Sequence, residues 1–276
     1  MTSVTEALRA AAERLSGTSD TARLDAEVLM AHALGVSRSE LLLRHTRAEA
    51  PNAFAALVER RAAHEPVAYI VGAQEFYGRT FAVTPAVLIP RADSEATVAA
   101  ALEAEPHANR VLDCGTGSGA LLLTLLAELA EVEGVGVDRS LEALQVAATN
   151  AERLGLSDRA SFKCRDWTRE DWACGLGQFD LVIANPPYVE ADAHLSPSVR
   201  DFEPAGALFA GAEGLDDYRR LIPQLPALLA RDGAAVLEIG ATQAEAVSAL
   251  AHEAGFTAAL RHDLGRRPRS LVLRKS

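Results

Sequence analysis

At 276 residues the chain can form one large domain or two unequal ones, each with its own core. A formal net charge of -11 opposes a protein that holds nucleic acid by neutralising phosphates, so no direct nucleic-acid binding is expected. Three cysteines, Cys114, Cys164 and Cys174, are odd in number and far apart, which excludes a disulfide framework and a zinc ribbon and suits a reducing compartment.

The first residues include Glu6 and lack a long apolar stretch, and no run of about 18 uncharged apolar residues occurs anywhere. A cytoplasmic protein without membrane contact is predicted. Residues 1–65 read as a small helical domain of three or four segments, with Leu24, Val28, Leu29, His32 and Leu34 at helical spacing and Asp20 and Pro51 placed to start helices. Residues 66–93 are rich in β-branched and aromatic residues and punctuated by Gly72, Gly78, Pro85 and Pro90, which predicts a hairpin and linker. Ser94 is placed to cap a helix running to about Glu103.

From there to residue 276, short apolar runs alternate with helical stretches, the mark of a parallel sheet covered by helices. Strands are predicted at 110–113, 134–138, 160–163, 179–184 and 234–239, then a weaker pair at 257–262 and 270–274. The fold class is α/β: a seven-stranded Rossmann-like sheet whose last hairpin is antiparallel, preceded by the helical bundle. Arg261, Arg266, Arg267 and Arg269 read as a solvated rim, and Asp180, Glu190 and Asp192 as surface acids.

Four constellations carry chemistry. Gly115, Thr116, Gly117, Ser118 and Gly119 follow the first sheet strand and open an apolar helix; glycines allow a tight turn and let a ligand lie against bare backbone amides. The third glycine comes two residues after the second, not three, so the dinucleotide fingerprint is not met and the spacing leans toward S-adenosyl-L-methionine. Asp138 ends the next strand, where a carboxylate accepts both ribose hydroxyls of an adenosine or caps the following helix. Asp166 and Trp167 follow the third strand, offering an acceptor for an adenine amino group and an aromatic wall, with a core tryptophan as the plain alternative. Trp172 reads as packing.

The fourth is Asn185-Pro186-Pro187-Tyr188, directly after the apolar run FDLVIA. An amide nitrogen is a poor nucleophile because its lone pair is delocalised into the carbonyl, so position must do what basicity cannot. The Asn185 carboxamide oxygen and the Pro186 carbonyl each accept one hydrogen of an NH₂ group, steering its lone pair toward a sulfonium methyl. The prolines hold these acceptors with little freedom, and Tyr188 lies over the flat amide.

These residues resemble the HemK-type N5-glutamine methyltransferases, over nearly the whole chain. The resemblance rests on PVAYIVGAQEFYG at 66–78, LIPRADSE at 88–95, LDCGTGSG, Asp138, RDW at 165–167, ANPPY and RDFEP at 200–204. It departs mildly where the family's Pro-Arg-Pro-Asp-Thr-Glu reads PRADSE and where Cys114 replaces a commoner leucine; Cys114 is expected to be buried and inert. The resemblance implies methyl transfer from S-adenosyl-L-methionine, yielding S-adenosyl-L-homocysteine, to the glutamine of the Gly-Gly-Gln tripeptide in class 1 peptide chain release factors. It implies that Gly115 to Gly119, Asp138, Trp167 and Asn185 contact the cofactor and that Asn185 to Tyr188 hold the glutamine. Phe76, Arg91 and Phe202 become walls or anchors of the glutamine pocket.

No metal is implied and no general base is evident. The N-terminal helices are expected to recognise the macromolecular substrate, since a lone glutamine offers few contacts. The rival functions are methylation of a ribosomal-protein glutamine, adenine-N6 methylation of DNA, and a catalytically silent S-adenosylmethionine-binding adaptor. Intact Asn185 argues against the adaptor; net charge and the lack of a target-recognition domain argue against DNA.

Overall fold

The computed structural model describes residues 2–276, in two compact units: one runs to Ala73 and takes back Leu195–Phe202, the other comprises Gln74–His194 and Glu203–Ser276. The first unit is helical, with helices Val4–Leu15, Ala22–Leu34, Ala53–Ala62 and Val67–Val71, and a short turn Arg38–Glu40 that widens into a π turn, Leu41–His45. Ser3 and Ser37 each accept from the amide of the glutamate three residues on, Glu6 and Glu40, whose side chains return the bond, so both segments start with a capping box.

Four expectations change here. Thr21, not Asp20, occupies the N-cap of the second helix, because the Thr21 and Ser19 hydroxyls donate to Asp25 at 2.8 and 2.7 Å. Pro51 sits one place ahead of the N-cap Asn52. The buried stripe of Ala22–Leu34 is Ala26, Leu29, Met30 and Ala31, joined by buried Asp25 and Glu27, while Leu24 is exposed. Two acids face inward because each is paired: Asp25 with Arg61 at 2.7 Å, Glu27 with Arg23 and Arg38 at 2.6 and 2.7 Å. Periodicity counted apolar residues and could not see these partners. The stretch after Pro66 likewise begins with the helix Val67–Val71 before any strand.

A hairpin of β1 (Ala73–Phe76) and β2 (Arg79–Ala82) follows, turning at Tyr77 and Gly78, whose φ values of 51° and 70° match a type I′ turn. Asn150 ties it down: its Oδ1 accepts from the Ala82 amide at 2.7 Å and its Nδ2 donates to the Ala82 and Ser118 carbonyls.

The main sheet holds β3 (Arg110–Cys114), β4 (Glu133–Asp138), β5 (Ala160–Cys164), β6 (Phe179–Ala184), β7 (Leu229–Glu238), β8 (Phe256–His262) and β9 (Pro268–Lys275) in the order β5-β4-β3-β6-β7-β9-β8. β3 to β7 run parallel and β9 lies antiparallel between β7 and β8. Alternate residues of β6 feed opposite cores. Val182 and Ala184 pack with Tyr218, Leu221 and Leu225; Leu181 and Ile183 pack with Leu122 and Leu126 of the helix Ala120–Glu128. That two-sided burial is why the strand reads as a continuous apolar run. The chain reverses direction across the sheet between β3 and β6, and there the carboxyl ends of the strands open a crevice.

Candidate active site

A cavity of about 450 Å³ fills that crevice. It is lined from the β3 turn by Gly115 to Ser118, from the end of β4 by Asp138, from beyond β5 by Asp166 and Trp167, and from beyond β6 by Asn185 and Pro187. Phe76 and Arg91 line it too. Four of the predicted site residues lie elsewhere. Gly119 sits behind the wall as the N-cap of Ala120–Glu128, with φ 80°, and a Cβ there would come within 2.9 Å of Leu123. Pro186 is buried and its side chain is not part of the lining, and neither is the Tyr188 ring, which packs into the core beside Gly240. Phe202 belongs to the first unit.

The glycine turn departs from the expectation of bare amides. The Gly115 and Thr116 amides both donate to the Val137 carbonyl at 2.8 and 2.9 Å, Gly117 donates to Asp138 Oδ2 at 3.0 Å, and Gly119 donates to the Thr116 carbonyl at 2.8 Å. With the Gly115, Thr116, Gly117 and Gly119 amides engaged, the turn is a poor pyrophosphate cradle. Its value to a ligand is shape: at Gly115, φ 76°, a Cβ would stand 3.0 Å from the Trp167 ring, so only glycine lets the indole close on the turn.

Four carboxylates, Asp138, Glu142, Asp166 and Asp217, line the cavity together with Arg91, Arg139 and Arg165. Asp138 accepts from the Gly117 and Ser140 amides, using one bond at each oxygen and keeping an acceptor site on each, so it caps the turn and remains able to take two hydroxyls. Burial alone would raise the Asp166 pKa, but the Thr168 amide and hydroxyl, with Arg139 and Arg169, outweigh it and hold the carboxyl below its usual range. Asp217, which sequence reasoning missed, lines the cavity and accepts from the Trp167 indole at 2.9 Å, fixing the ring. Beneath the turn, Asp113 is buried; desolvation, opposed by the Thr116 hydroxyl at 2.7 Å and aided by the Asp138 charge, pushes its pKa up to about 7. The same burial, with Asp113 alongside, raises the Cys114 thiol, as expected of an inert cysteine.

The acceptor side is built differently. No protein donor among the described residues reaches the Asn185 carboxamide or the Pro186 carbonyl, so both keep their acceptor capacity. The loop is held instead from Tyr188. Gln243 donates from Nε2 to the Tyr188 and Gly214 carbonyls at 3.0 and 3.2 Å and accepts from the Gly240 amide at 3.0 Å. Burial, reinforced by the Glu238 charge, raises the Tyr188 hydroxyl pKa against the pull of Arg269 and Arg91. Arg91 is pinned by the buried carboxylate of Glu203, which also accepts from the Ile89 amide at 3.2 Å. Glu203 and Gln243 were not legible as site residues. Glu238 was hinted at, as the one acid in the apolar run AAVLEIG. Trp172 is buried, in line with packing, and Arg269 is buried and paired with Asp93 at 2.8 Å rather than part of a solvated rim.

Two domain descriptions match the chain: "PrmC N-terminal domain" over residues 6–72 and "Methyltransferase domain" over residues 106–205. Among solved structures, a ribosomal protein L11 methylase from Lactobacillus delbrueckii is similar at 22% identity and a TM-score of 0.51, over 74% of this chain and 90% of that one. An O-methyltransferase family protein from Burkholderia thailandensis is similar at 17% and 0.50, over 67% and 57%. Fold and matched domain together define a class I methyltransferase. Curated relatives named release factor glutamine methyltransferase sharpen this: the one from Cereibacter sphaeroides is 44% identical, covering 91% of this chain and 90% of its own, and that from Bradyrhizobium diazoefficiens is 40% identical, covering 99% and 95%. The chain belongs to the release factor glutamine methyltransferase family.

Proposed function

We propose that this protein transfers a methyl group from S-adenosyl-L-methionine to the side-chain nitrogen of the glutamine in the Gly-Gly-Gln tripeptide of class 1 peptide chain release factors. The observation that carries the reading is the unpaired Asn185 carboxamide on the wall of the same cavity as the glycine turn and Asp138. Family membership supplies the substrate class. The residues present fit the cofactor: acids at Asp138, Asp166 and Asp217 suit a cationic nucleoside, and a turn whose Gly115, Thr116 and Gly117 amides are already engaged suits one that carries no phosphate.

Bound S-adenosyl-L-methionine would supply an electrophilic methyl carbon. Gly115 to Ser118 shape the floor against which it lies, Asp138 takes the ribose hydroxyls, and Asp166 with Trp167 takes the adenine. Asn185 and the Pro186 carbonyl each accept one amide hydrogen of the glutamine, which leaves the nitrogen lone pair aimed at the methyl carbon. Phe76 and Arg91 wall the glutamine, and Tyr188 holds the loop in place from the core side. The helical residues 1–65 and the stretch 66–93, which carries the helix Val67–Val71 and the hairpin, precede the catalytic domain of 94–276, and the helices of residues 1–65 recognise the body of the release factor.

Mass spectrometry on unmodified release factor incubated with the protein and S-adenosyl-L-methionine tests this. One added methyl on the glutamine side chain of the Gly-Gly-Gln peptide is expected. An unmodified peptide, with cofactor binding demonstrated by calorimetry, would overturn the substrate and point to a ribosomal-protein glutamine.

A further inference from the structure

Holding an acceptor amide and holding a methyl donor are separate tasks, and transfer occurs only when the two are kept at one spacing. Reacting atoms must stand about 3 to 3.5 Å apart, and a misplacement of about 1 Å can cost on the order of a hundredfold. In this cavity Asn185 heads the loop that ends in Tyr188, while the tryptophan wall is fixed by Asp217, in the helix Asp216–Leu221 that follows Gly214 and Leu215. Both segments meet on one side chain. Gln243 donates from Nε2 to the Tyr188 carbonyl at 3.0 Å and to the Gly214 carbonyl at 3.2 Å, and its Oε1 accepts from the Gly240 amide at 3.0 Å.

The seat is built for a carboxamide. Gln243 is 8% exposed and stands at the N-cap of the helix Ala244–Glu253, yet its side chain makes no capping bond. The same is true of Ser94 at the N-cap of Glu95–Ala104, against the expectation that it caps that helix. A Cβ on Gly214 would stand 2.3 Å from the Tyr188 carbonyl oxygen and 2.8 Å from Gln243 Nε2, and one on Gly240 would stand 2.8 Å from Gln243 Oε1. Just beyond, Val189 and Phe209 pair as a parallel bridge, the Val189 amide donating to the Leu208 carbonyl at 2.8 Å and the Ala210 amide to the Val189 carbonyl at 2.9 Å. That bridge ties the two segments to each other. Gln243, on the turn after β7, ties both to the end of the sheet. A carboxylate of the same shape has no donor for either carbonyl.

We infer that Gln243 is a positioning residue for the methyl transfer: by holding the Tyr188 and Gly214 carbonyls on one carboxamide, it sets the spacing between the Asn185 acceptor and the tryptophan wall that holds the nucleoside. It touches neither substrate nor cofactor, and acts through the loop that carries Asn185. This rests on the function proposed above.

The test is single-turnover methylation of unmodified release factor by excess enzyme saturated with S-adenosyl-L-methionine, with the rate expressed per cofactor-binding site. A buried amide that only adds stability would lower the unfolding midpoint and leave the rate of the folded chain alone. Gln243→Met, of similar length but without donors, should slow transfer about thirtyfold, with cofactor and release-factor affinities within about threefold. Gln243→Glu, which keeps the shape and the acceptor but turns an oxygen toward two carbonyls, should be at least as slow. In an Asn185→Ala chain the Gln243→Met change should cost no more than about threefold, because the group it positions is gone. A Gln243→Met or Gln243→Glu variant at the wild-type rate would overturn the inference, and so would an equal loss in the presence and absence of Asn185. Should the Gln243 variants fail to fold, Gly214→Ala puts the same question by displacing the Tyr188 carbonyl: about a tenfold loss is expected, again shrinking without Asn185, and a wild-type rate would overturn the inference. All of these leave the proposed function standing. A wild-type chain that leaves release factor unmodified would instead remove that function, and this step with it.

Discussion

The turn after β3 and the loop after β6 occupy equivalent places, at the carboxyl ends of neighbouring parallel strands, yet they treat their hydrogen-bonding groups in opposite ways. The glycine turn satisfies the Gly115, Thr116, Gly117 and Gly119 amides at Val137, Asp138 and Thr116 and offers the cavity a surface. The Asn-Pro-Pro-Tyr loop leaves Asn185 and the Pro186 carbonyl unpaired and is stiffened from behind by its prolines and by Gln243. On the function proposed above, a cofactor that must bind and leave at every turnover is held by shape and by a few acids, and an amide that must be made to react is held by acceptors that have nothing else to hold.

That contrast predicts separable losses. Asn185→Ala should have the largest effect, lowering methyl transfer by at least about a hundredfold while cofactor affinity, read by calorimetry, stays within about threefold; parallel loss of both would erase the distinction between the two sides. Asp138→Asn should do the reverse, weakening cofactor binding on the order of thirtyfold, because a charged acceptor for two hydroxyls is replaced by a neutral one, with the rate at saturating cofactor little changed. Gly115→Ala tests the claim that the turn works by shape: a Cβ 3.0 Å from the Trp167 ring at φ 76° should cost about tenfold in cofactor affinity. An unchanged affinity would mean the indole does not need that closeness.

The smallest effect concerns stability. Asp113 has its pKa raised to about 7 in the folded chain, above its ordinary value of 3.8, so between these values the folded state binds the extra proton and stability declines as pH rises from about 4 to 7. Asp113→Asn should remove at most about 1.4 kcal/mol per pH unit from that slope, measured by urea unfolding at pH 5, 6 and 7. An unchanged slope would assign it to other groups.

The strands and the glycine turn were legible because a two-sided buried strand is apolar throughout and a tight turn needs glycine, both local demands. β3 to β9 fall where the apolar runs lie, give or take a residue or a short extension such as that of β7 back to Leu229. The inward face of Ala22–Leu34 was not legible, because Asp25 and Glu27 are buried on the strength of arginines that approach from Arg61 and Arg38. The same holds for Arg269, whose acid partners come from a loop far back in the chain and from its own hairpin.

The sequence by itself determined the class of fold, the placing of glycine, aspartate and asparagine at successive strand ends, and the family. Those are properties of short segments, where spacing and residue type leave few alternatives. Only the tertiary structure decided which groups are spent and which are spare: that the turn's glycine amides are engaged, that Tyr188 stands behind the loop and not over the cavity, and that the Thr97 hydroxyl reaches a buried glutamate, Glu238, at the end of a distant strand. Hydrogen-bond partners are chosen by proximity in space, and proximity between distant segments is set by how the sheet stacks them.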